Sequence, residues 1–454
     1  MTLEIKTLDL LPRALEILES GFKELPEFET NVDIGSIQEV LNEVAFRMQD
    51  NYPYQHPNYI GQMLKPPHPI ARLAYMLSLW INPNNHALDG GRASSVMEKE
   101  AVAKIAGIFG WGKHLGHLCS GGTMANLEAL WISKCLNPNR KILASQQAHY
   151  THSRICGVLG IPFEAIPIDC KARMELSALK EALDSGDVGT VVVTIGSTAT
   201  GSLDPLPEIL ELQQSYGFRI HADAAYGGYF VLVDNLTSKS RAVFETLTQV
   251  DSIVIDPHKH GLQPYGCGCV IFKDPSVGFF YKHESPYTYF TSSEIHLGEI
   301  SLECSRPGSS AVALWATQRL LPMIKGGVFA QDLENCRNAA LKFFERIKSD
   351  SRFLTGLDPE LDILVWSLRA NKASEASRLN DAVFEATAKA NLHLAKANLP
   401  MCLFEDDWKD FIWDQDHITC LRSVFMKPES LEWLERVWAT LSEAVDKVSP
   451  KNSQ

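Results

Sequence analysis

The sequence predicts an α/β protein, with a large domain on a mostly parallel sheet followed by a smaller α/β domain. Three observations carry that prediction. Between residues 120 and 272 short apolar runs alternate with helical patterns, the signature of crossover units that lay helices on both faces of a parallel sheet. Beyond about residue 325 the spacing lengthens and the helical patterns dominate. At 454 residues, 45% apolar and 21% charged, the chain is long enough for two cores. The boundaries read as an N-terminal arm over 1–68, a large domain over 69–325 and a small domain over 326–454.

In chain order, the arm has patchy periodicity and ends in QHPNYIGQMLKPPHP, whose prolines and glycine favour extended chain with turns. Pro69 is placed to open a helix through ARLAYMLSLW, which the Asn82-Pro83 pair stops. Ser95 and Glu98 read as a capping box, and Met97, Ala101, Ile105 and Phe109 follow as one apolar stripe before Gly110. The strand runs are KILAS, FEAIPI, TVVVTI, FRIHAD, SIVI and CVIF, with helices near 151–160, 176–185 and 206–216 between them. The small domain reads as a helix from Gln331 to Ile347, the strand LDILVWSL, a helix near 375–390, the strand ITCLRSVFM and a closing helix through SLEWLERVWATLSEAV.

The formal charge of -13 and the lack of any Lys/Arg block exclude the electrostatic footprint of a nucleic-acid binder. The opening MTLEIKTLDLLPRALEIL carries acidic residues and no unbroken apolar core, and no run approaches a membrane span, so the expected location is the cytoplasm. Ten cysteines lie between Cys119 and Cys420, and Cys267 with Cys269 forms neither a redox nor a zinc motif. Reduced thiols and no metal site are expected.

Ligands of such sheets bind at the C-terminal ends of the strands, and HAD, TIGSTATG and IDPHK all fall there. Asp223 would sit at a strand tip, followed by the small Ala224 and Ala225, which leave room for a flat ring. Alone it reads as a turn aspartate. Lys259 changes the weighting, because it follows the buried run SIVI and the breaker Asp256-Pro257, 36 residues after Asp223. A lysine inside a fold is costly to keep charged, and a neutral amine is what forms a Schiff base. The pair fits pyridoxal 5'-phosphate, whose ring is an electron sink only while a carboxylate keeps its nitrogen protonated. Gly122 and Thr123 in CSGGTMANLEAL open a helix whose free N–H groups suit the phosphate. His149 in SQQAHYTHSR could stack on the ring, and Thr194 and Ser197 could bond its hydroxyl, although each taken alone reads as an ordinary core or turn residue.

The order SGGT, AHYTHSR, TIGSTATGSLDP, HADAAYGGYF and IDPHKHG resembles the group II pyridoxal-phosphate amino-acid decarboxylases over residues 55–325, and IDPHKHGLQPYGCG with ESPYTYFT is most similar to the archaeal-type tyrosine/aspartate enzymes. The resemblance implies fold type I with a seven-stranded sheet, Lys259 as the Schiff-base lysine, His258 near the phosphate, Asp223 on the pyridine nitrogen and Ala225 on the ring face opposite His149. It implies a proton-donating loop tyrosine within YKHESPYTYFTSSE, where Tyr287 and Tyr289 both qualify and Tyr287 is preferred. It also implies a homodimer with composite sites, in which Ser305, Gly308 and Ser309 of SLECSRPGSS reach a partner's phosphate, and it puts Arg422 at the substrate carboxylate. His260, where many relatives are apolar, departs from the pattern and leaves the polarity of the pocket open.

The implied reaction converts an L-amino acid, tyrosine-like or acidic, to an amine and CO₂. A carbon–carbon lyase of the sphingosine-phosphate type shares the motifs, decarboxylative oxidation to an aldehyde is a variant that two loop tyrosines disfavour, and a catalytically silent binder would lack the lysine, aspartate or loop tyrosine. Tyr59, Gln62, His86 and Arg422 are the candidate wall residues for substrate choice.

Overall fold

A computed structural model describes residues 3–26, 28, 30–282, 301–405 and 407–449. Helices α1 (Leu11–Ser20) and α2 (Ile34–Met48) form the arm, and α3 (Pro69–Leu79) and α4 (Arg92–Ile108) lead into the main sheet. Then follow β1 (Leu115–Cys119), α5 (Gly122–Leu136), β2 (Lys141–Ser145), α6 (Thr151–Leu159), β3 (Phe163–Ile166), α7 (Leu176–Asp184), β4 (Val188–Thr194), α8 (Leu206–Tyr216), β5 (Arg219–Asp223), α9 (Ser238–Thr246), β6 (Ser252–Ile255), β7 (Gly268–Phe272) and α10 (Gly308–Leu320). The C-terminal part runs α11 (Val328–Ser349), β8 (Phe353–Leu354), β9 (Ile363–Leu368), α12 (Ala373–Lys389), β10 (Ala395–Pro400), β11 (His417–Val424) and α13 (Ser430–Val448).

Seven strands form the main sheet in the order β1-β7-β6-β5-β4-β2-β3, and β7 alone runs antiparallel to its neighbours. The near-continuous Val/Ile runs of β4 and β6 are buried throughout because helices cover both faces. The second sheet, β10-β11-β9-β8, is antiparallel and packs under α11, α12 and α13 around Phe343, Trp366 and Phe425. Register fixes the functional edge. Thr194 pairs with Asp223 and Asp223 with Val254, so three strands end side by side.

Two expectations need correction. Helix α4 starts at Arg92 behind Gly91, which puts Ser95 and Glu98 inside it rather than at its cap. The Glu98 carboxylate instead accepts from Asn85 Nδ2 at 2.6 Å, Leu118 N at 2.9 Å and Arg306 Nη1 at 2.7 Å. A guanidinium and a buried strand amide are stronger partners than a frayed helix end. Strand β1 lies before the predicted run of strands. Its LGHLC lacks an apolar run because His117 is buried against Glu128, 2.8 Å away.

The arm helices bury none of their side chains within the chain. Ile37, Val40, Leu41 and Val44 of α2 are all exposed. Among the described residues no helix is long and apolar enough to cross a membrane.

Candidate active site

A cavity of about 310 Å³ opens at the C-terminal edge of the main sheet. Its floor and walls come from the ends of β4, β5 and β6 and the starts of α5 and α6, so each side chain is held by a strand tip or a helix cap rather than by a long loop. Gly121 holds φ +155° in front of α5, and a Cβ on Gly122 would stand 2.7 Å from Asp256 Oδ2. Only glycine lets the first amides of α5 reach the cavity there, where N–H groups and the helix dipole favour an anion.

At one end lies Asp223. Its Oδ2 is 2.9 Å from His152 Nε2 and accepts from Asn126 Nδ2 at 3.3 Å, while Oδ1 accepts from Ala225 N at 3.2 Å. Asn126 Oδ1 then faces His221 Nε2 at 2.8 Å, and His221 Nδ1 faces Ser252 Oγ at 2.8 Å. Because the Asn126 amide donates to the carboxylate, its oxygen must accept, so His221 carries its proton on Nε2 and accepts a hydrogen bond from the Ser252 hydroxyl at Nδ1. Burial, with the nearby His152 charge, pushes His221 down to about 3, which keeps it neutral. Burial alone would raise the Asp223 carboxyl, yet the hydrogen bond and charge of His152, with Lys259 and His221, hold it well below the usual carboxylate range.

At the other end Lys259 Nζ lies 3.0 Å from Asp256 Oδ2, and His258 Nε2 lies 3.5 Å from the same oxygen. The lysine side chain keeps 22% of its exposure. A buried carboxylate thus stands beside the lysine, and the reason is local: Asp256 stands one turn before Lys259 and the backbone folds back between them, Lys259 N donating to Asp256 O at 2.9 Å. Thr194 Oγ1, His258 Nδ1 and Asp256 Oδ1 are buried with no hydrogen-bond partner. Between the two ends His149 and Ala225 both line the cavity. Burial lowers the His149 imidazole, and its Nδ1 is 2.9 Å from Thr151 Oγ1. The neutral ring is thus anchored by its edge.

The structure brings Gly122, Thr123, His149, Thr194, Asp223, Ala225, His258 and Lys259 to one cavity. It does not bring Ser197 there: that hydroxyl bonds Thr200 at 2.8 Å and Ser202 at 2.9 Å, closing the turn after β4. Ser305 accepts from Asn84 Nδ2 at 3.1 Å, Gly308 begins α10 against Asn85 and Ser94, and Ser309 is buried beside it, all away from the cavity of this chain. Arg422, Gln62 and Tyr59 form a separate cluster, with Arg422 Nη1 donating to Gln62 Oε1 at 3.0 Å and Gln62 N to Tyr59 Oη at 3.2 Å. Arg422 is buried with Nε and Nη2 unpartnered. His86 stands apart in the turn at Gly90. Tyr287 and Tyr289 lie outside the described residues. His260 faces away from the cavity, packed between Tyr226 and Phe230 with ring centroids at 4.8 and 5.0 Å.

Sequence reasoning missed Asp256, His152, Asn126 and Tyr226. Asp256 and His152 lie inside motifs already singled out, one turn from Lys259 and three residues from His149. Asn126, on the turn of α5 after Gly122, carried a helical-face signal.

The model of the pyridoxal-dependent decarboxylase conserved domain matches residues 123–369, more than half of the chain. An L-tyrosine decarboxylase of Enterococcus faecium is 24% identical over 82% of this chain and 78% of its own. A probable L-tyrosine/L-aspartate decarboxylase of Methanoculleus marisnigri is 30% identical over 62% and 74%, and an L-aspartate decarboxylase of Thermococcus kodakarensis 28% identical over 62% and 72%. Among solved structures, Oryza sativa TDC with PLP and tryptamine superposes with a TM-score of 0.79 at 16% identity, covering 97% of this chain and 96% of that one. Mouse CSAD gives 0.78 at 17% identity, covering 94% and 91%. At such identities these structures establish the shared fold.

Proposed function

This chain belongs to the pyridoxal-dependent decarboxylase family, and from that membership we propose that it removes the α-carboxyl group of an L-amino acid as CO₂, a proton taking its place to leave the amine. The observation that carries the reading is the convergence of Asp223, Lys259 and the unpartnered Thr194 hydroxyl on one cavity under the N-terminus of α5. The residues present fit pyridoxal 5'-phosphate: a glycine cradle with open amides, buried donors without partners, and a carboxylate held ionised at the far end.

When bound, the cofactor supplies an electron sink for the pair left behind as CO₂ departs. Lys259 Nζ would be the amine that bonds the cofactor aldehyde, whose oxygen would leave as water, and Asp256 at 3.0 Å is placed to hold and return the proton that this amine must shed. Asp223 keeps a proton on the pyridine nitrogen, with His152 and Asn126 fixing its orientation. The neutral His149 ring and Ala225 both line the cavity, where they would contact the cofactor ring. The first amides of α5 and His258 hold the phosphate.

The substrate reading is tyrosine-like, supported by the names of the relatives and by the absence of any cation other than Lys259 among the charged residues lining the described cavity. The exposed apolar faces of α1 and α2 support a homodimer, in which the exposed Ser305 could serve the partner's site while the buried Gly308 and Ser309 shape the start of α10 behind it. The silent-binder reading finds no support, since Lys259 and Asp223 both face the cavity. Release of CO₂ from a panel of L-amino acids containing tyrosine, phenylalanine, aspartate and glutamate tests the proposal. Release from tyrosine above the others is expected; release from none of a broader panel, with cofactor bound, refutes decarboxylation.

A further inference from the structure

A second cavity, about 860 Å³, lies on the other side of the segment that carries Lys259. Its walls come from the strap before α3, the start of α11 and the loop before α13, and they include His260 and Leu262. None of the residues assigned above to cofactor lines it. We propose that this cavity is a ligand site for a small carboxylate with an apolar body, and that its occupancy is transmitted to Lys259.

The polar end is built from the buried Lys427 and His260 and the half-buried Lys65, groups that the protein leaves incompletely used. Lys427 is 5% exposed, and its Nζ donates to a backbone carbonyl, Tyr59 O, at 2.7 Å. Lys65 Nζ likewise donates to Met426 O at 3.1 Å. Neither lysine makes an ion pair among the described residues, although each retains donors beyond the one in use. His260 is fully buried on the same wall, and its Nδ1 has no hydrogen-bond partner. Burial pushes Lys427 down to about 7, with Lys65 adding to the effect, the cost expected of a cation awaiting an anion. The lining also carries Asp332, Glu429 and the Arg72–Glu4 ion pair, so there is no surplus of positive charge for a polyanion, and a single carboxylate bridging the free donors of Lys65 and Lys427 suits the site better. Phe329, Leu333, Tyr54 and Pro67 provide the apolar remainder.

The route to Lys259 is short. His260 is its neighbour in sequence, with Nε2 3.2 Å from Asp362 Oδ2, and Tyr226 donates to Asp362 Oδ1 at 2.6 Å. Tyr226 lines the first cavity, so His260, Asp362 and Tyr226 bridge the two through the core. Leu262, three residues past Lys259, holds φ +66°, a conformation costly for a leucine, and its carbonyl accepts from His68 N at 3.0 Å. A ligand pressing on this wall acts on the backbone that aims the lysine.

Titration calorimetry of the holoenzyme with phenylacetate, with neutral phenylacetamide as control, tests the site. Saturable binding of phenylacetate is expected, accompanied by a shift in the long-wavelength absorbance of the bound cofactor. Lys427→Met and, from the opposite wall, Leu333→Trp should each weaken binding by about tenfold or more, whereas Lys259→Ala should retain it. Retained cofactor absorbance in Lys427→Met and Leu333→Trp reports that they fold. Binding unchanged in both, loss of binding in Lys259→Ala, or no saturable binding of phenylacetate to the wild type overturns the inference. The transmission step rests on the cofactor reading of Lys259; a wild type that binds phenylacetate but carries no cofactor absorbance would refute that reading and leave the second site standing.

Discussion

The two ends of the first cavity are built on opposite principles. Around Asp223 the polar groups form a continuous chain running from Ser252 through His221 and Asn126 to the carboxylate and on to His152, whose outer Nδ1 is the one atom of the chain without a partner. Around Lys259 the structure leaves His258 Nδ1 and Asp256 Oδ1 buried without partners, and Thr194 Oγ1, on the strand end that pairs with Asp223, is a third such atom in the cavity. A satisfied network fixes protonation states and geometry before any ligand arrives, whereas buried orphans are costly until one does. In the proposed reading the first end would tune the cofactor and the second would hold it.

That contrast makes the two ends respond differently to substitution. The largest effect is expected from Lys259→Ala, which should lower decarboxylation by about 1,000-fold or more, the order seen when a principal catalytic group is removed. Steady-state CO₂ release measures it, and near-normal turnover would break the assignment. Asp223→Asn comes next, with a loss of about 100- to 10,000-fold in turnover, because a neutral amide no longer enforces a proton on the ring nitrogen. If its activity were close to wild type, the tuned end would not be tuning.

His221 sharpens the comparison through pH. Its folded-state value, pushed down to about 3 by burial, lies below the ordinary histidine value, so the unfolded chain binds the extra proton first. Its contribution to stability is therefore full above about pH 6.5 and is lost as pH falls below that, at up to about 1.4 kcal/mol per pH unit. Denaturant titrations of the apoprotein between pH 7 and about pH 5 should show this slope reduced in His221→Gln. An unchanged slope would mean that His221 takes up its proton without penalty.

The smallest effect has the opposite sign. Thr194→Val removes an orphan hydroxyl at nearly constant shape, so the apoprotein should gain about 1 kcal/mol of stability while cofactor affinity falls by about tenfold. Thermal melts with and without cofactor read both quantities. A destabilised apoprotein would show that the hydroxyl was never an orphan.

The strands of the main sheet were legible because a parallel strand covered on both faces is a continuous Val/Ile run, as β4 and β6 are. Strand β1 was not, since LGHLC draws its place from pairing with β7 and from the buried His117–Glu128 contact, neither of which leaves a periodic trace. Asp223 and Lys259 could be found because each closes a legible run, and a strand end is where chemistry sits on this sheet. His152 and Asn126 could not be joined to Asp223 from spacing, because they come from α6 and α5, which meet β5 only when the sheet forms, whereas His221, two residues before Asp223 on the same strand, shares its face. Ser197 shows the reverse limit: its position after β4 looked right, but its hydroxyl is committed to closing the turn.

Lys259, and no other lysine, is the residue proposed to bond the cofactor. Borohydride reduction of the purified holoprotein, followed by peptide mass mapping, tests it most directly by fixing the cofactor as a stable amine. The pyridoxyl mass should appear on the peptide containing Asp256, His258 and Lys259 and be absent from Lys259→Arg. A label on another lysine, or none on the wild type loaded with cofactor, would contradict the account.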